Sequence, residues 1–336
     1  MLSYIYIIST ITLVSLGYLL GDSIWWLALV NSFRYWLFFP LIIFWIEQIF
    51  VQIDKWQSTG LGILTVLWIF LYIWFPFYEN NKPIPLNGNP IKVMSFNILF
   101  KNRDMNPAFE ALQKADPDII AIQEITKPQA QVLGEALKEK YQYNSYNNAP
   151  DKILGVATFS KSPLRKIGQI PSQYGHAELV EIEDASRKFY LVNIHTSSID
   201  PLDIFDQPSN IQKAYENREK FFAEIFAYLR ENQIDIKKVL LAGDFNSTEG
   251  NKLYQIVQAA GFKDSYREIS PVIPFSSFTF PHNWLGLADR NAKMIPLIRI
   301  DYIFSGSGFK PIKADIVQEA TGSDHRPVIM TLGILQ

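Results

Sequence analysis

Three long runs that are almost free of charged side chains occupy the first 80 residues of the chain, at 3–20, 35–50 and 60–77. As a helix rising about 1.5 Å per residue, the first run covers roughly 27 Å, close to the thickness of a bilayer's hydrocarbon core. Such runs in succession leave no polar face for a water-soluble domain. The sequence therefore predicts an integral membrane protein with about three transmembrane helices within residues 1–78.

The number of spans and their orientation depend on a few charged residues. The middle run is the weakest span, because Asn31 and Arg34 precede it and Pro40 interrupts it, so two spans are the alternative. A cleaved signal peptide is the alternative for the first run, but no Lys or Arg precedes that run. Lys and Arg near the span ends leave both orientations open. We favour an extracytoplasmic position for the rest of the chain, which the absence of cysteine permits.

The composition changes after residue 78. Seven of the eight tryptophans precede residue 83, and residues 79–90 hold three Pro and four Asn, which predicts a linker before a domain at 91–336. Residues 83–336 carry 28 basic and 29 acidic side chains, so the balance does not indicate a basic coat for nucleic acid. The absence of cysteine excludes a thiolate nucleophile, an iron–sulfur cluster and a Cys-ligated zinc site.

Strand-like and helix-like segments alternate in the second domain. The clearest helix is predicted from Ser209 to Asn232, with an apolar stripe on one face and with Ser209 and Gln212 as a capping box. This alternation predicts an α/β domain with helices outside packed sheets. The predicted strands are eight runs rich in β-branched and aromatic residues, namely KVMSFNILF, DIIAIQEI, ILGVATFS, HAELVEIE, KFYLVNIHT, KVLLAGDF, IRIDYIF and RPVIMTLGIL.

Polar residues recur at the ends of these strands or beside them. One such residue is typical of a solvated loop, but a whole set tied to one sheet system is not, because burying unpaired carboxylates costs several kcal/mol. Convergence on one metal ion would offset that cost. The set consists of Asn97, Glu124, His195, Asp244, Asn246, Asp301, Asp324 and His325.

The residue types in this set define a chemistry. Carboxylate and amide oxygens without thiolates favour a hard cation, Mg²⁺ or Mn²⁺, over zinc. Two histidines beside the carboxylates supply a general base for water and a proton-bearing group for a developing oxyanion. Phosphoryl transfer needs this combination, because its barrier falls mainly through positioning and charge neutralisation.

The motifs around these residues resemble those of the endonuclease/exonuclease/phosphatase superfamily over about residues 91–335. They are SFN, IQE, NIH, GDFN, RIDYI and SDHRPV, in that order. The resemblance implies a four-layer α/β sandwich, in which two stacked mixed sheets are flanked by helices. This sandwich would follow the N-terminal transmembrane helical region.

The resemblance also implies roles for the metal-binding and phosphate-binding residues. Glu124 would be the principal Mg²⁺ ligand, Asn97 would lie beside it, and Asp324 would complete the metal site. Asn246 would hydrogen-bond the phosphate. Arg299 and Arg326 are candidates for phosphate binding or for pairing with local carboxylates.

For proton transfer, the resemblance implies that Asp244 or His325 activates the attacking water, and the choice between them stays open. Asp301 would orient His325, and His195 would donate to a phosphoryl or leaving oxygen. The carboxylate that orients His195 is not evident, and Asp151 and Glu178 are candidates. We expect His176 and His282 to be structural, and residues 275–291, which include Trp284, to form a substrate loop or a cover for the sheet end.

Together these features predict a membrane-anchored, Mg²⁺-dependent phosphoesterase that hydrolyses phosphodiesters by in-line attack of water. A nuclease-like enzyme is the first expectation. A phospholipid or small-molecule phosphodiesterase or phosphatase is the alternative, and a non-catalytic membrane scaffold is a third. The expected partners are the phosphodiester substrate and the lipid bilayer, and no obligate protein partner is indicated.

Overall fold

Two six-stranded mixed sheets stack face to face, with helices on both outer surfaces, which confirms the predicted four-layer α/β sandwich. The computed structural model describes residues 2–51, 54–72, 86–147, 155–185, 187–200, 202–270, 275–282, 295–319 and 321–335. The strands are β1 (Ile91–Asn97), β2 (Ile119–Ile125), β3 (Tyr143–Asn147), β4 (Gly155–Ser160), β5 (Leu164–Gln169), β6 (Gly175–Asp184), β7 (Arg187–Thr196), β8 (Val239–Asp244), β9 (Lys263–Asp264), β10 (Asp301–Ser305), β11 (Phe309–Ile316) and β12 (Val328–Ile334).

The helices divide into an N-terminal group and a group that covers the sheets. The α-helices are α1 (Leu2–Leu20), α2 (Trp25–Ser32), α3 (Pro40–Phe50), α4 (Lys55–Tyr72), α5 (Asn106–Ala115), α6 (Lys127–Leu137), α7 (Asp203–Asp206), α8 (Pro208–Glu231) and α9 (Lys252–Ala259). Short 3₁₀ segments lie at Arg34–Phe38, Ile236–Lys238 and Phe275–Ser277.

The strand order brings parallel strands to the middle of each sheet. The first sheet has the order β11-β12-β1-β2-β4-β3 and the second β5-β6-β7-β8-β10-β9. The pairs β1/β2 and β7/β8 are parallel, so both strands of each pair end at the same edge of their sheet. Polar residues that end these strands are thereby collected at one end of the sandwich.

Alternation of apolar side chains along β1 explains the layering. Met94 and Phe96 point outward into the core beneath α5 and α6. Val93 points inward and packs between the sheets with Val180 and Leu240. A third core lies between the second sheet and helices α8 and α9. Each strand therefore contributes to two cores, as the period of two in a strand requires.

Helix α8 agrees with the predicted helix in extent but not in its start. It begins at Pro208, and no side chain caps it from Gln207, so the predicted capping box of Ser209 and Gln212 is wrong. A proline at the first helical position needs no hydrogen-bond partner for its nitrogen, and this permits the earlier start. A capping box does begin α6, where Thr126 and Gln129 bond to each other's backbone N–H groups.

In the N-terminal region, α3 and α4 lie side by side, and α1 packs on α4. Within the described residues, only α1 is both long and apolar enough to cross a bilayer by itself. The predicted span at 35–50 is divided, because residues 34–38 form a 3₁₀ segment and an α-helix resumes at Pro40. Helix α2 and residues 34–50 would pass the same test together, but they are bent by 72°. The described part of the predicted third span ends at Tyr72, and residues 73–77 lie outside the described residues.

The helical region is attached to the sandwich through buried polar contacts, which we call the junction cluster. Its members are Asp22, Asn31, Ser32 and Arg34 on the helical side and Tyr215, Gly250, Asn251 and Lys252 on the sandwich side. Of the predicted linker, only residues 86–90 are described, and there Leu86 forms an isolated bridge with Leu335.

Candidate functional site

Three neighbouring strands of the second sheet place three of the predicted site residues side by side. His195 on β7 is the register partner of Asp244 on β8, and Asp244 is the partner of Asp301 on β10. All three side chains are buried. The polar residues that the sequence places at or beside the ends of these strands therefore form one cluster.

The first sheet contributes Asn97 and Glu124 from its own parallel pair. The Asn97 side-chain amide donates to Glu124 Oε1 at 3.0 Å and to Asp244 Oδ2 at 3.1 Å, so it joins the two sheets. Glu124 has a φ of 55° and lies at a β-bulge, where the register of β2 against β4 shifts between Gln123 and Ile125. Bulges beside active sites re-aim side chains, and the left-handed backbone costs roughly 1–3 kcal/mol.

His195 lies between the two acidic residues. Its Nε2 atom is 3.5 Å from Glu124 Oε1 and 3.9 Å from Asp244 Oδ2. The ligand atoms of Glu124, His195 and Asp244 all lie within 4.8 Å of one another, which is close enough for one metal ion to touch all three. A second such group is formed by Asp244, Asp301 and His325.

His325 is held from both sides. Its Nδ1 lies 2.9 Å from Asp301 Oδ2, and its Nε2 lies 3.8 Å from Asp244 Oδ2. The Phe280 ring packs on the imidazole with 4.9 Å between ring centroids. Ser323 receives the backbone N–H of His325 at 3.0 Å and donates to the Asn97 carbonyl at 2.6 Å. Asp301 therefore orients the imidazole so that its other nitrogen faces Asp244.

The acidic groups differ in pKa although they are neighbours. Burial favours the neutral form of Glu124, but the His195 imidazole 3.5 Å away and the hydrogen bond from the Asn97 amide outweigh it and lower the pKa of Glu124 to about 2. Burial raises the pKa of Asp244 to about 6; the charge of Asp301 adds to this rise, and the two histidines oppose it. Glu124 is therefore ionised at neutral pH, while Asp244 can exchange a proton near neutrality.

The pKa values of both site histidines are raised. Burial lowers the pKa of His325, but the carboxylates of Asp301 and Asp244 raise it well above its ordinary value. Burial likewise opposes protonation of His195, and Glu124 with Asp244 raises its pKa overall. Both imidazoles can therefore carry a proton at neutral pH in the metal-free protein.

Asn246 and Asp324 complete the set predicted from the sequence. Asn246, with a φ of 48°, donates its side-chain amide to Asp244 Oδ2 at 3.1 Å and to the Thr196 carbonyl at 3.3 Å. Asp324 lies next to His325, and its pKa is raised by burial, against which the charge of His325 acts. The structure thus brings Asn97, Glu124, His195, Asp244, Asn246, Asp301 and His325 into one contact network, with Asp324 beside it.

The donor set fits a divalent cation. Among the described residues, His195 Nε2 and Asp324 Oδ1 are buried atoms without a hydrogen-bond partner. Orphaned buried atoms of this kind are costly unless a ligand completes them. Glu124, Asp244 and Asp324 offer carboxylate oxygens at this place, and a hard cation prefers such ligands. These residues could hold a metal ion, and the donor set does not fix its identity.

The two arginines named from the sequence lie apart from this network. Arg299 is buried and forms ion pairs with Glu249 and Asp264. Of the two roles expected for it, it therefore has the pairing with local carboxylates. Arg326 donates to His282 Nδ1 at 3.1 Å. His282 itself is fully buried and is bonded to the backbone of Glu319 and Asp324, as expected for a structural residue.

Glu178 does not orient His195, and that prediction is wrong. Its carboxylate accepts hydrogen bonds from Ser145 at 2.9 Å and from Thr158 at 2.7 Å. The strand register explains this position, because the partner of His195 on β6 is His176, while Glu178 lies two residues further along and is paired with Asn193. Asp151 lies outside the described residues, as do residues 283–291 of the predicted substrate loop, which include Trp284.

Arg218 is a residue near the site that sequence reasoning missed. It is 1% exposed on α8, donates from Nε to the Ser197 carbonyl at 2.8 Å and packs over the Tyr215 ring. Burial lowers the pKa of Arg218, and the nearby Asp244 acts against this shift. The signal was present, because Arg218 falls seven residues after Ile211 within the apolar stripe of the helix.

Comparison with known proteins agrees with this architecture. A family model described as the endonuclease/exonuclease/phosphatase family matches residues 94–325. Exodeoxyribonuclease III of Haemophilus influenzae is 22% identical over 276 residues, which cover 71% of this chain and 98% of that protein. Two solved structures have the same fold.

The first of these structures is an endonuclease/exonuclease/phosphatase from Bacteroides vulgatus. It is 17% identical with a TM-score of 0.56, over 74% of this chain and 100% of that chain. The second is a mannosyl-6-phosphatase of Bacteroides thetaiotaomicron, which is 18% identical with a TM-score of 0.53, over 72% of this chain and 99% of that chain. Because the family model spans more than half of its length, the chain belongs to the endonuclease/exonuclease/phosphatase family.

Proposed function

We propose that the protein is a membrane-anchored, Mg²⁺-dependent phosphoesterase that hydrolyses phosphodiester bonds by in-line attack of water. The observation that carries this proposal is the convergence of Glu124, His195 and Asp244 to within 4.8 Å, beside the Asp301–His325 pair. Family membership supports hydrolysis of a phosphoester. The exonuclease relative supports nucleic acid as one candidate substrate.

The metal would be held by Glu124, with Asp324 and the amide oxygen of Asn97 beside it; Mn²⁺ fits the same oxygen donors. A bound divalent cation supplies charge neutralisation at the phosphoryl oxygens. The orphaned Asp324 Oδ1 and the low pKa of Glu124 support these two residues as the anionic part of the site.

The remaining side chains bind the phosphate and transfer protons. Asp244, with a pKa of about 6, accepts a proton from the attacking water, and His325 shares this role or stabilises the charge that develops. His195 donates through its unpartnered Nε2 to a phosphoryl oxygen or to the leaving oxygen. Asn246 directs its amide to the phosphate, and Asp301 positions His325.

Membrane anchorage is proposed from the N-terminal helices. The apolar window of α1 is only 22% buried, and exposed side chains such as Leu2, Ile5, Ile8 and Leu19 leave an apolar outer surface. We take α1, α3 and α4 together as an anchor of three helices, with the sandwich beginning after the linker at 79–90. The sandwich is then on the side of the membrane opposite to the amino terminus, and we keep the extracytoplasmic position as the proposal.

Hydrolysis of bis(p-nitrophenyl) phosphate by the full chain in detergent, with Mg²⁺, tests the proposal. We expect EDTA to abolish the activity and His325→Ala to slow it by about 10² to 10⁴, the range for losing general acid–base help. His176→Ala is the matched control, and we expect a change of about twofold or less for it. Activity that is insensitive both to EDTA and to His325→Ala would contradict the proposal.

A further inference from the structure

The N-terminal helices are docked at the active-site end of the sandwich. At one contact, Trp36 Nε1 donates to the Leu297 carbonyl at 2.7 Å, and the Trp36 ring packs on Phe278. The Leu297 backbone N–H in turn donates to the Phe280 carbonyl, and the Phe280 ring lies on His325. Two residues, Leu297 and Phe280, therefore link Trp36 of the helical region to the predicted catalytic imidazole of His325.

A second contact involves the loop that leaves β8 after Asp244. Asp22, in the turn after α1, accepts from the backbone N–H of Lys252 at 2.7 Å and from the Asn251 side chain at 3.2 Å. Arg34 donates to the Gly250 carbonyl at 2.8 Å. This loop starts at the GDFN motif, so one short segment connects the site to the helices.

The third contact involves the segment that leaves β7 after His195. Ala28 of α2 packs with Ile211 and Tyr215 at the start of α8, and Ile199 joins the same apolar cluster. All three contacts are therefore made with loops at the active-site end, which we call the rim.

The helices extend away from the rim, which fixes where a membrane would lie. Arg34 packs over the Tyr18 ring, so the carboxyl-terminal end of α1 is at the rim. The hydroxyl of Tyr4 reaches Asp54 at 2.8 Å, so the start of α1 lies with the start of α4 at the remote end. The 14 residue-to-residue steps from Tyr4 to Tyr18 span about 21 Å of helix. A bilayer around these helices would have one surface at the rim.

The rim carries apolar side chains that are exposed in the described part of the chain. Phe205 on α7 is 84% exposed and Leu202 beside it is 65% exposed. Phe100 follows β1, and its backbone N–H lies 3.4 Å from Glu124 Oε2. Lys101 and Arg103 next to it are exposed. Phe100, with Lys101 and Arg103 beside it, combines the aromatic and basic side chains that are typical of surfaces entering the headgroup layer of a membrane. Leu202 and Phe205 lie among Asp200, Asp203 and Asp206, so they contribute apolar contact without basic charge.

We propose that the active site faces the bilayer that holds its own helices, and that its substrate is the phosphodiester of a membrane phospholipid. This inference rests on the proposed function. Water adds across the phosphorus–oxygen bond, so that one alcohol and one phosphomonoester leave and no further reactant is needed. The rim residues insert beside the lipid and bring its headgroup to the cluster. A nucleic-acid duplex would instead have to enter between the rim and the membrane surface.

The test uses the full chain reconstituted in vesicles of phosphatidylcholine and phosphatidylglycerol with Mg²⁺. Released water-soluble phosphorus reports lipid hydrolysis, while bis(p-nitrophenyl) phosphate and plasmid DNA are given to the same vesicles. We expect hydrolysis of vesicle lipid and of the small diester, with the plasmid left intact. Nicking of the plasmid while the lipids stay intact would overturn the inference.

Two variants locate the effect at the rim. Phe205→Glu should lower lipid hydrolysis by about tenfold, since it replaces a large apolar side chain at the membrane contact with a charged one. Because the side chain is exposed, small-diester turnover should stay unchanged, and Leu202→Glu serves as an independent copy of the test. The matched control is Ile236→Glu, an exposed apolar residue before β8 at the opposite end of the sandwich. Equal effects of Phe205→Glu and Ile236→Glu on lipid hydrolysis would contradict the inference.

The small diester separates the two proposals. If EDTA-sensitive turnover of bis(p-nitrophenyl) phosphate is observed and vesicle lipids are untouched, the lipid inference fails while the phosphoesterase proposal stands. If neither substrate is hydrolysed, the proposed function itself fails.

Discussion

The active-site cluster, formed by Asn97, Glu124, His195, Asp244, Asp301 and His325, and the junction cluster both bury polar side chains, but they differ in how these are satisfied. In the junction cluster, both carboxylate oxygens of Asp22 accept hydrogen bonds, and Asn251 is bonded through its oxygen and its amide. In the active-site cluster, His195 Nε2 is left without a partner, and the pKa values of Glu124 and Asp244 move in opposite directions.

This difference separates a structural polar cluster from a functional one. The junction cluster also has one buried atom without a partner, Arg34 Nε, but its carboxylate Asp22 is fully bonded and holds one geometry. In the active-site cluster the unpartnered atom is a possible metal ligand and the pKa values of neighbouring carboxylates diverge, which indicates a ligand or a reaction. The junction cluster also gives the helical region a structural role in the sandwich. Helix α9 receives no side-chain cap from its own Asn251, and Asp22 binds its first backbone N–H instead. The helical region therefore completes hydrogen bonding of the sandwich, in addition to the membrane anchorage that we propose for it.

The largest effect is expected in the active-site cluster, for Asp301→Asn. The substitution removes the charge that holds His325, so we expect kcat to fall by about 10²–10³-fold. It should also lower the pKa of His325, because the Asp301 carboxylate raises it now. Turnover of the small diester gives the first quantity, and titration of the imidazole NMR signals in the metal-free protein gives the second.

Asp315→Asn is the matched control for this substitution. Asp315 lies on the exposed edge strand β11 and pairs with Lys313 at 2.7 Å, an ion pair of a kind that contributes little. We expect neither kcat nor the His325 titration to change in it. If Asp301→Asn leaves both quantities as they are in the unsubstituted protein, the active-site cluster does not work as described.

A smaller effect, on stability, is expected in the junction cluster. Asp22→Ala leaves the donors of Asn31, Asn251 and Lys252 without their acceptor, which should cost about 2–3 kcal/mol of unfolding free energy. Denaturant unfolding of the full chain in one detergent measures this cost. We expect small-diester turnover by the folded variant to change much less than in Asp301→Asn.

Asp54 offers a matched control, because it also caps a helix. Its carboxylate accepts the N–H groups of Trp56 and Gln57 at the start of α4 and the exposed hydroxyl of Tyr4. Asp54→Ala should cost about 1 kcal/mol, the usual value for an exposed cap. A loss in Asp22→Ala no larger than in Asp54→Ala would show that the junction cluster is not the stabilising contact inferred from its hydrogen bonds.

Much of the sandwich could be predicted from the sequence, and what was missed has a common cause. The eight predicted runs correspond to the interior strands, which are buried on both faces. The missed strands β3, β5, β9 and β11 are the four sheet edges in the described part of the chain. Edge strands such as LRKIGQ carry charges that protect an open edge, so they lack the continuous apolar pattern of an interior strand.

The site was predictable where strand ends determine it and was missed where tertiary packing does. Asn97 and His195 end parallel strands, and their convergence follows from that topology. The bulge that re-aims Glu124 depends on the pairing of β2 with β4. The position of Glu178 depends on the register of β6 against β7. The junction could not be predicted, because Asp22 and Asn251 are 229 positions apart. The sequence around one residue holds no signal that it contacts the other.

The most direct test of the central claim is Mn²⁺ binding to the purified full chain, followed by electron paramagnetic resonance without any substrate. We predict saturable binding that Mg²⁺ displaces and that Glu124→Gln weakens by at least about tenfold, since it removes the ionised ligand. Asp22→Asn, in the junction cluster, should bind Mn²⁺ as the unsubstituted protein does. Binding that is unaffected by Glu124→Gln, or no binding at all, would contradict the assignment of the active-site cluster as a metal centre.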